Sequence, residues 1–459
     1  MTLLQALIDI LGDWRSVFPQ QRSCNRAMRQ AVGLLVCLGR RTLSRVIWTN
    51  GGQQRSWGAE YFLHSRCQWD PQQLFAPVLR RALGWCSGRY VGVAIDDTRL
   101  RKTGRCIPQA FYQRDPLSPP FHVNLTLGLR FLQASVLVPL HRRAQVSTRA
   151  LPIRFQEAST VKRPRRNAPP EQWQTYRAAV RQCNLSRTFV TMMGQLRQSL
   201  DTAGASRKIL MLATDGSFSN RTVFGTVVER TEIIARTRKD AVLCLRAPAG
   251  SHRFYDTHKF TPDQVRQDEC VSWKSTRIFY GGKRRRVRYK EVLAVHWQGG
   301  ARRRILRLLV VAPTPYRKRK SGRLYYRQPA YLLTSDLKGH ARTLLQIYFD
   351  RWQIEVNHRE EKDTLGVGQA QLWNHVAVPK QPALAVAAYS ALLLASLIAF
   401  GAERGSAYAP LPRWRHHARR PSCLDLITLL RNEIANNPDK VNHLGIHATF
   451  QGITSAAAA

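Results

Sequence analysis

Acidic side chains are scarce in this chain, 29 Asp and Glu against 72 Lys and Arg, so a carboxylate at the end of an apolar run is informative. Asp96-Asp97 closes the run YVGVAIDD, and Asp215 closes KILMLATD. Burying a carboxylate is costly unless it is paired or bound to a metal. Two carboxylates converging at strand ends repel each other unless a cation lies between them, and hard divalent ions with oxygen ligands, Mg²⁺ or Mn²⁺, fit that place. Alternation along a strand sends Asp96 and Asp97 to opposite faces, so only one of them can share a site with Asp215.

A third acid, Glu355, lies in QIYFDRWQIEVNHREEKDTLG. On a helix at 100° per residue, Tyr348, Arg351, Glu355, Arg359 and Lys362 fall within about 80° of arc. Ile347, Ile354 and Leu365 form a separate, core-facing stripe. One carboxylate among several cations suits metal-assisted phosphoryl transfer, in which the acid holds the ion and the cations hold a phosphate backbone in register.

Composition points to the same substrate class. The formal net charge is +43 over 459 residues, a field that a polyanion would neutralise, with nucleic acid ahead of an acidic membrane. Hydrophobic content of 44% excludes a disordered basic tail, and the charge argues against an ordinary metabolic enzyme. Nine scattered Cys without a CxxC pair support neither a zinc site nor a disulfide framework. The N-terminal MTLLQALIDILGDWR reads as an amphipathic helix rather than a signal peptide, and the chain as cytoplasmic. The uncharged stretch 381–402 is long enough to span a bilayer. It is rich in Ala and Ser and stands alone in a polar chain, so a buried helix is the better reading.

The elements that must position these residues follow from the periodicity. Residues 1–85 read as helices, with Asp70-Pro71 as a helix start, either a DNA-binding domain or a packing unit. Strands are expected at 90–97, over 121–140 (two of them), at 208–215 and at 241–247, with helices at 171–203 and 220–238; the sum is an α/β fold with a mixed sheet. Residues 250–335 carry strand-like runs and read as an inserted β-subdomain. Its basic runs KRRRVRYK, with Lys283, Arg284, Arg285 and Arg286, and RKRKSGR suit a DNA backbone. Helix returns at 337–365 and 382–401. The basic PRWRHHARR and a low-complexity end, read as disordered, close the chain.

Tyr348-x2-Arg351-x3-Glu355-x6-Lys362 resembles the YREK signature of DDE transposases of the insertion-sequence-four superfamily. AIDDTRLRKTG, FYQRDP, FHVNLTLGLRF, ATDGSF and RWQIEV…LGV are similar to that group's sequence blocks, in the same order. The resemblance runs from about residue 20 to 400. It implies a ribonuclease-H-like core, interrupted by the β-rich insertion between the second Asp and the Glu and preceded by the helical domain. The expected units are 1–85, 86–249, 250–335, 336–405 and a basic tail at 406–459. The resemblance also implies a catalytic, metal-binding triad of Asp97 (with Asp96 as the alternative), Asp215 and Glu355. These would hold two Mg²⁺, for which Mn²⁺ can substitute. Tyr348, Arg351 and Lys362 would grip the DNA, although the surroundings of Lys362 are unusually acidic. Trp273 or Trp297 of the insertion would stack on a displaced base if either is not core. The expected activity is cut-and-paste transposition by a bacterial, nucleoid-associated protein acting on double-stranded DNA as a homodimer. A nuclease without strand transfer and a silent DNA-binding protein are the alternatives.

Overall fold

The computed structural model describes residues 1–447 apart from 116, 117, 120, 159, 320 and 415–417. The low-complexity end and the middle of PRWRHHARR lie outside the described residues.

The chain opens with helices α1 (Leu3–Gly12), α2 (Gln21–Val36), α3 (Leu43–Thr49), α4 (Gly58–Ser65) and α5 (Ala76–Ala82). Asp70 caps the turn that leads into α5, its carboxylate accepting the Gln72 N–H at 2.9 Å, with Pro71 in the first turn. Strands β1 (Tyr90–Arg101), β2 (Phe111–Arg114), β3 (Leu125–Val138) and β4 (Arg149–Glu157) follow, then α6 (Pro170–Gln182), α7 (Leu185–Thr202), β5 (Ile209–Thr214), the short α8 (Arg221–Phe224) and β6 (Thr231–Arg236). The next stretch holds β7 (Leu243–Arg246), β8 (Tyr255–Phe260), α9 (Pro262–Gln267), β9 (Lys274–Tyr280), β10 (Lys283–His296), α10 (Gln298–Ala301), β11 (Ile305–Val311), β12 (Pro315–Arg317), β13 (Leu324–Tyr326) and β14 (Ala330–Thr334). Last come α11 (Ala341–Asp350), α12 (Gln353–Arg359), α13 (Ala377–Phe400), α14 (Cys423–Asn436) and α15 (Asp439–Asn442).

Strand β3 runs antiparallel to both β4 and β1, and β5 and β6 run parallel to β1. With helices on both faces this mixed α/β sheet is compatible with a ribonuclease-H-like core. One face, through Val91, Val93 and Ile95, joins a core shared with α1, α2, α13 and α14. The helices of residues 1–85 therefore pack into the common core. The other face, through Ala94, Met211 and Ala213, is covered by Ile347 and Ile354 of α11 and α12. Gly92 permits that close cover, since a Cβ there would lie 3.2 Å from Ile347 Cγ2.

Several elements differ from the sequence expectation. The helix expected over 220–238 is the four-residue α8 followed by strand β6, because the β-branched TEIIAR pairs with β5 on one side and β14 on the other. The expected pair of strands over 121–140 is one long strand, β3. β4 went unread, its proline disguising a strand that bends at a bulge opposite Ala134 and Ser135. The β-rich stretch does not form a sheet of its own. β14 pairs with β6, and β11, β10, β7 and β8 extend the core sheet from there; only β12 and β13 pair separately. The apolar helix α13 is buried from Ala377 to Leu397 with one half-buried exception, Pro379, packed among the N-terminal helices and β4.

Candidate active site

The sheet register decides which acids meet. β1 and β5 pair in parallel with Ala94 opposite Ala213. Two residues further on, where β5 has just ended and β1 runs on to Arg101, the same register sets Asp96 level with Asp215. Residues level in a parallel pair share a face, so both carboxylates point to the side covered by α11 and α12. That place, just past the carboxyl end of β5 and along the part of β1 that pairs with β3 alone, lies on the side where open α/β sheets form their crevices. Asp97 points to the opposite face. There it lies diagonally across from Arg130 of β3, whose Nε donates to Asp97 Oδ2 at 2.7 Å.

Glu355 arrives from the covering helix. Between α11 and α12 the backbone tightens, with Ile354 N–H bonding to Arg351 O and Glu355 N–H to Trp352 O, both i to i−3. After α12 the helix widens into a π-helical turn, Glu360–Thr364. The even wheel expected for 348–362 is therefore broken twice. Tyr348, Arg351, Glu355 and Lys362 still gather on the acid side, whereas Arg359 projects to solvent.

The electrostatics of the cluster follow from burial and proximity. Burial pushes the Asp96 carboxyl up to about 6; Asp215 and Asp97 add to the rise, and His358 and Arg351 oppose it. Glu355 is also raised, chiefly by burial and in the same sense by Asp215, against Arg351 and His358. Arg351 lies between them, with Nη2 3.0 Å from Glu355 Oε1 and Nη1 3.9 Å from Asp96 Oδ2. Asp215 is oriented by its own turn, Oδ1 accepting the Ser217 N–H and Oδ2 the Ser217 hydroxyl, each at 3.0 Å. Burial raises the Tyr348 phenol, on which Arg351, Arg236 and Asp215 all act. Lys362, half-buried, is lowered by burial and feels Glu361, Asp363, Asp96 and Asp97.

The donor set suits a hard divalent ion: three carboxylates, two of them raised by burial and by the third, Asp215. Arg351 Nη1 and His358 Nε2 are buried there without hydrogen-bond partners in the protein, donors that a water or a phosphate oxygen would satisfy. Among the described residues, however, no three acidic, imidazole or thiol groups stand close enough to hold an ion as they are. The Arg351 guanidinium supplies the positive charge between Asp96 and Glu355.

The basic strand start Lys283–Arg286 is held elsewhere. Its hairpin docks on α11, where Gln346 both donates to and accepts from the Phe279 backbone, at 2.9 and 2.7 Å. Arg284 reaches His141 O, and Arg285 lies over the Tyr280 ring. Among the described residues none of the four pairs with the acids. Trp273 is flanked by Arg288 and Lys290. Trp297 packs against Phe224 and lines a groove of about 850 Å³ with Gly216, Arg236, Arg238 and Lys239.

Sequence reasoning missed His358 and the partner of the π-helical turn. Gln133, directly opposite Asp96 on β3, donates to Glu361 Oε1 at 2.9 Å. A signal for Asp96 was present. Both apolar runs lead into Ala-x-Asp (Ala94-Ile95-Asp96 and Ala213-Thr214-Asp215), a small residue under the helix and an acid on the same face two positions on.

With this geometry in place, the comparison with known proteins fixes the class. Residues 18–304 match the family described as DDE superfamily endonuclease. That is more than half of the chain, and the protein belongs to this family. The matched stretch includes Asp96, Asp97 and Asp215 and ends before Glu355. No curated protein matches the chain.

Proposed function

We propose that this chain is a transposase of the insertion-sequence-four type, carrying the YREK signature. In this reading it binds the terminal inverted repeats of its element, cuts at their ends and joins them to target DNA, as a homodimer in the cytoplasm. The observation that carries the reading is the level placement of Asp96 and Asp215 where the parallel pairing of β1 with β5 ends, beneath the helix that brings Glu355. The metal-binding triad is then Asp96, Asp215 and Glu355. Asp97, which the motif suggested, instead braces Arg130 on the other face.

These three carboxylates would hold two Mg²⁺ or Mn²⁺, which supply an activated water or 3′-hydroxyl and a stabilised leaving oxygen. The chain's own residues do the rest. Arg351 keeps Asp96 and Glu355 from repelling each other before the ions arrive, and its Nη1, which has no hydrogen-bond partner, can take a phosphate oxygen. Lys362 offers a second cation, and Tyr348 a hydroxyl beside Asp215 and Arg236. Arg236, Arg238 and Lys239 along the Trp297 groove carry the strand away from the acids by backbone contact. Arg359 and Lys283–Arg286, facing outward, meet DNA at a distance from the reacting phosphate.

The test is cleavage of end-labelled DNA bearing the inverted repeat, in Mg²⁺ or EDTA. Mg²⁺-dependent nicking at the repeat boundary should disappear in Asp96→Ala, Asp215→Ala and Glu355→Ala and persist in Asp97→Ala. Loss in Asp97→Ala with persistence in Asp96→Ala would return the first ligand to Asp97. Nicking without joined product would make the protein a nuclease, and end binding without nicking would make it a silent DNA-binding protein.

A further inference from the structure

On the helical side of the molecule, away from the acids, α2 carries Arg22, Arg26 and Arg29 at i, i+4 and i+7, one stripe of a helix whose other positions are largely buried. Together with Arg55 and the segment 442–447 these arginines line a cleft of about 320 Å³. The C-terminal segment is fastened there: Arg29 Nη1 donates to Leu444 O at 2.7 Å, and the His447 N–H to Asn50 O at 3.2 Å. Gly445, at φ +76°, is the floor. A Cβ on it would lie 3.1 Å from Arg29 Nη1 and 3.2 Å from Arg55 Nη1, so two guanidinium groups close on one point.

Like charges brought together in this way call for an anion. The nearby carboxylate is already engaged, since Glu60 pairs with Arg29 and accepts from Gln30 Nε2 at 2.9 Å. Among the described residues no carboxylate pairs with Arg22, Arg26 or Arg55. Among the described residues no Trp, Tyr or Phe lines the cleft, so none of them offers a stacking platform for a base. Planar guanidinium forks match phosphate oxygens.

We propose that this cleft, built jointly by α2 and the segment 442–447, is a second DNA site that clamps the sugar-phosphate backbone of duplex DNA without reading its sequence. The inference deepens the transposase reading, which needs DNA held beyond the reacting phosphate, and it can fail separately. Binding of the full-length protein is measured in EDTA, so that cleavage does not enter, with a repeat-bearing duplex and an unrelated duplex over a range of salt. In R26A/R55A both affinities should fall by a similar factor, about tenfold at moderate salt, and the slope of log K against log salt should shrink by about one to two. G445A, which keeps every charge but crowds Arg29 and Arg55, should weaken both duplexes in the same sense, with folding checked by thermal unfolding. Unchanged slopes in R26A/R55A would overturn the clamp while leaving the acid cluster untouched. So would an equal loss in R166A/R207A, which removes two exposed arginines elsewhere. A wild-type protein that binds neither duplex would instead overturn the transposase reading itself.

Discussion

Asp96 and Asp97 are neighbours in the chain and share one strand, yet they occupy opposite environments. On the Asp96 side the face is roofed by α11 and α12 and gathers Asp215, Glu355, Arg351, His358 and Lys362. On the Asp97 side no second strand-end acid converges: the carboxylate accepts from Arg130 at 2.7 Å, with the Arg99 guanidinium nearby. The first side has more charge than its hydrogen bonds satisfy, with Arg351 Nη1 and His358 Nε2 left over. The contrast teaches that an acid's bare presence at a strand end says little. What matters is which other acids and cations converge on the face it enters, because several carboxylates gathered in one buried place are the set a cation would complete.

The sharpest way to break this contrast is to exchange the two sides by mutation. Asp96→Ala should lower repeat-end cleavage by on the order of 10³-fold, as expected for losing a metal-binding carboxylate worth several kcal/mol in the transition state. Asp97→Ala should stay within about tenfold of wild type in the same gel assay. Roughly equal losses would erase the distinction.

Next in size is an effect on the roof itself. Asp350, at the end of α11, is pushed up to about 7 by burial, above the 3.8 of an unperturbed aspartate. Its raised pKa means that the folded state holds a proton the unfolded chain gives up. Wild-type stability is therefore lost relative to Asp350→Asn as pH rises from about 4 to 7, and the gap levels off above that. The full difference is on the order of 4 kcal/mol. Urea unfolding of both proteins across that range measures it, and parallel curves would show that Asp350 is not held neutral.

On the Asp97 side, removing the carboxylate leaves a half-buried guanidinium unpaired. Asp97→Ala should cost about 1–3 kcal/mol of stability, largely recovered in Asp97→Ala/Arg130→Met. A double-mutant cycle by chemical denaturation reads the coupling.

The smallest effect sharpens the Asp96 side. Arg351 lowers the pKa of both Asp96 and Glu355, so Arg351→Ala should move the acid limb of the cleavage–pH profile upward by about one unit, beyond any loss of rate. A rate loss with an unmoved limb would give Arg351 a contact with DNA alone.

Much of this architecture was legible in advance. The apolar runs ending in acids, helices within residues 1–85, and a buried apolar helix, expected over 382–401 and found over Ala377–Phe400, appear close to where periodicity and composition place them. Other features depend on partners distant in sequence. Whether Asp96 or Asp97 joins Asp215 is set by the register of β1 against β5, about 119 residues apart on a parallel pair whose alignment no local pattern states. TEIIAR was taken into a helix because strand propensity is decided by flanking strands. The double break of the helix around Glu355 has no residue-level mark, since neither a proline nor a glycine lies between Ala341 and Leu365.

The continuity of the sheet carries a practical consequence. If the stretch 243–334 were a cassette on a stalk, it could be cut out to leave a minimal catalytic core. Here β14 hydrogen-bonds along β6 from Leu332 to Thr334, so excision would strip one side of β6 and expose a row of unsatisfied amides and carbonyls beside Ile233 and Ile234. A raw edge of that kind invites strand addition from another copy. The minimal protein that stays monodisperse must therefore keep at least a strand in the place of β14, and shortening is tolerated from the far end of the sheet inward.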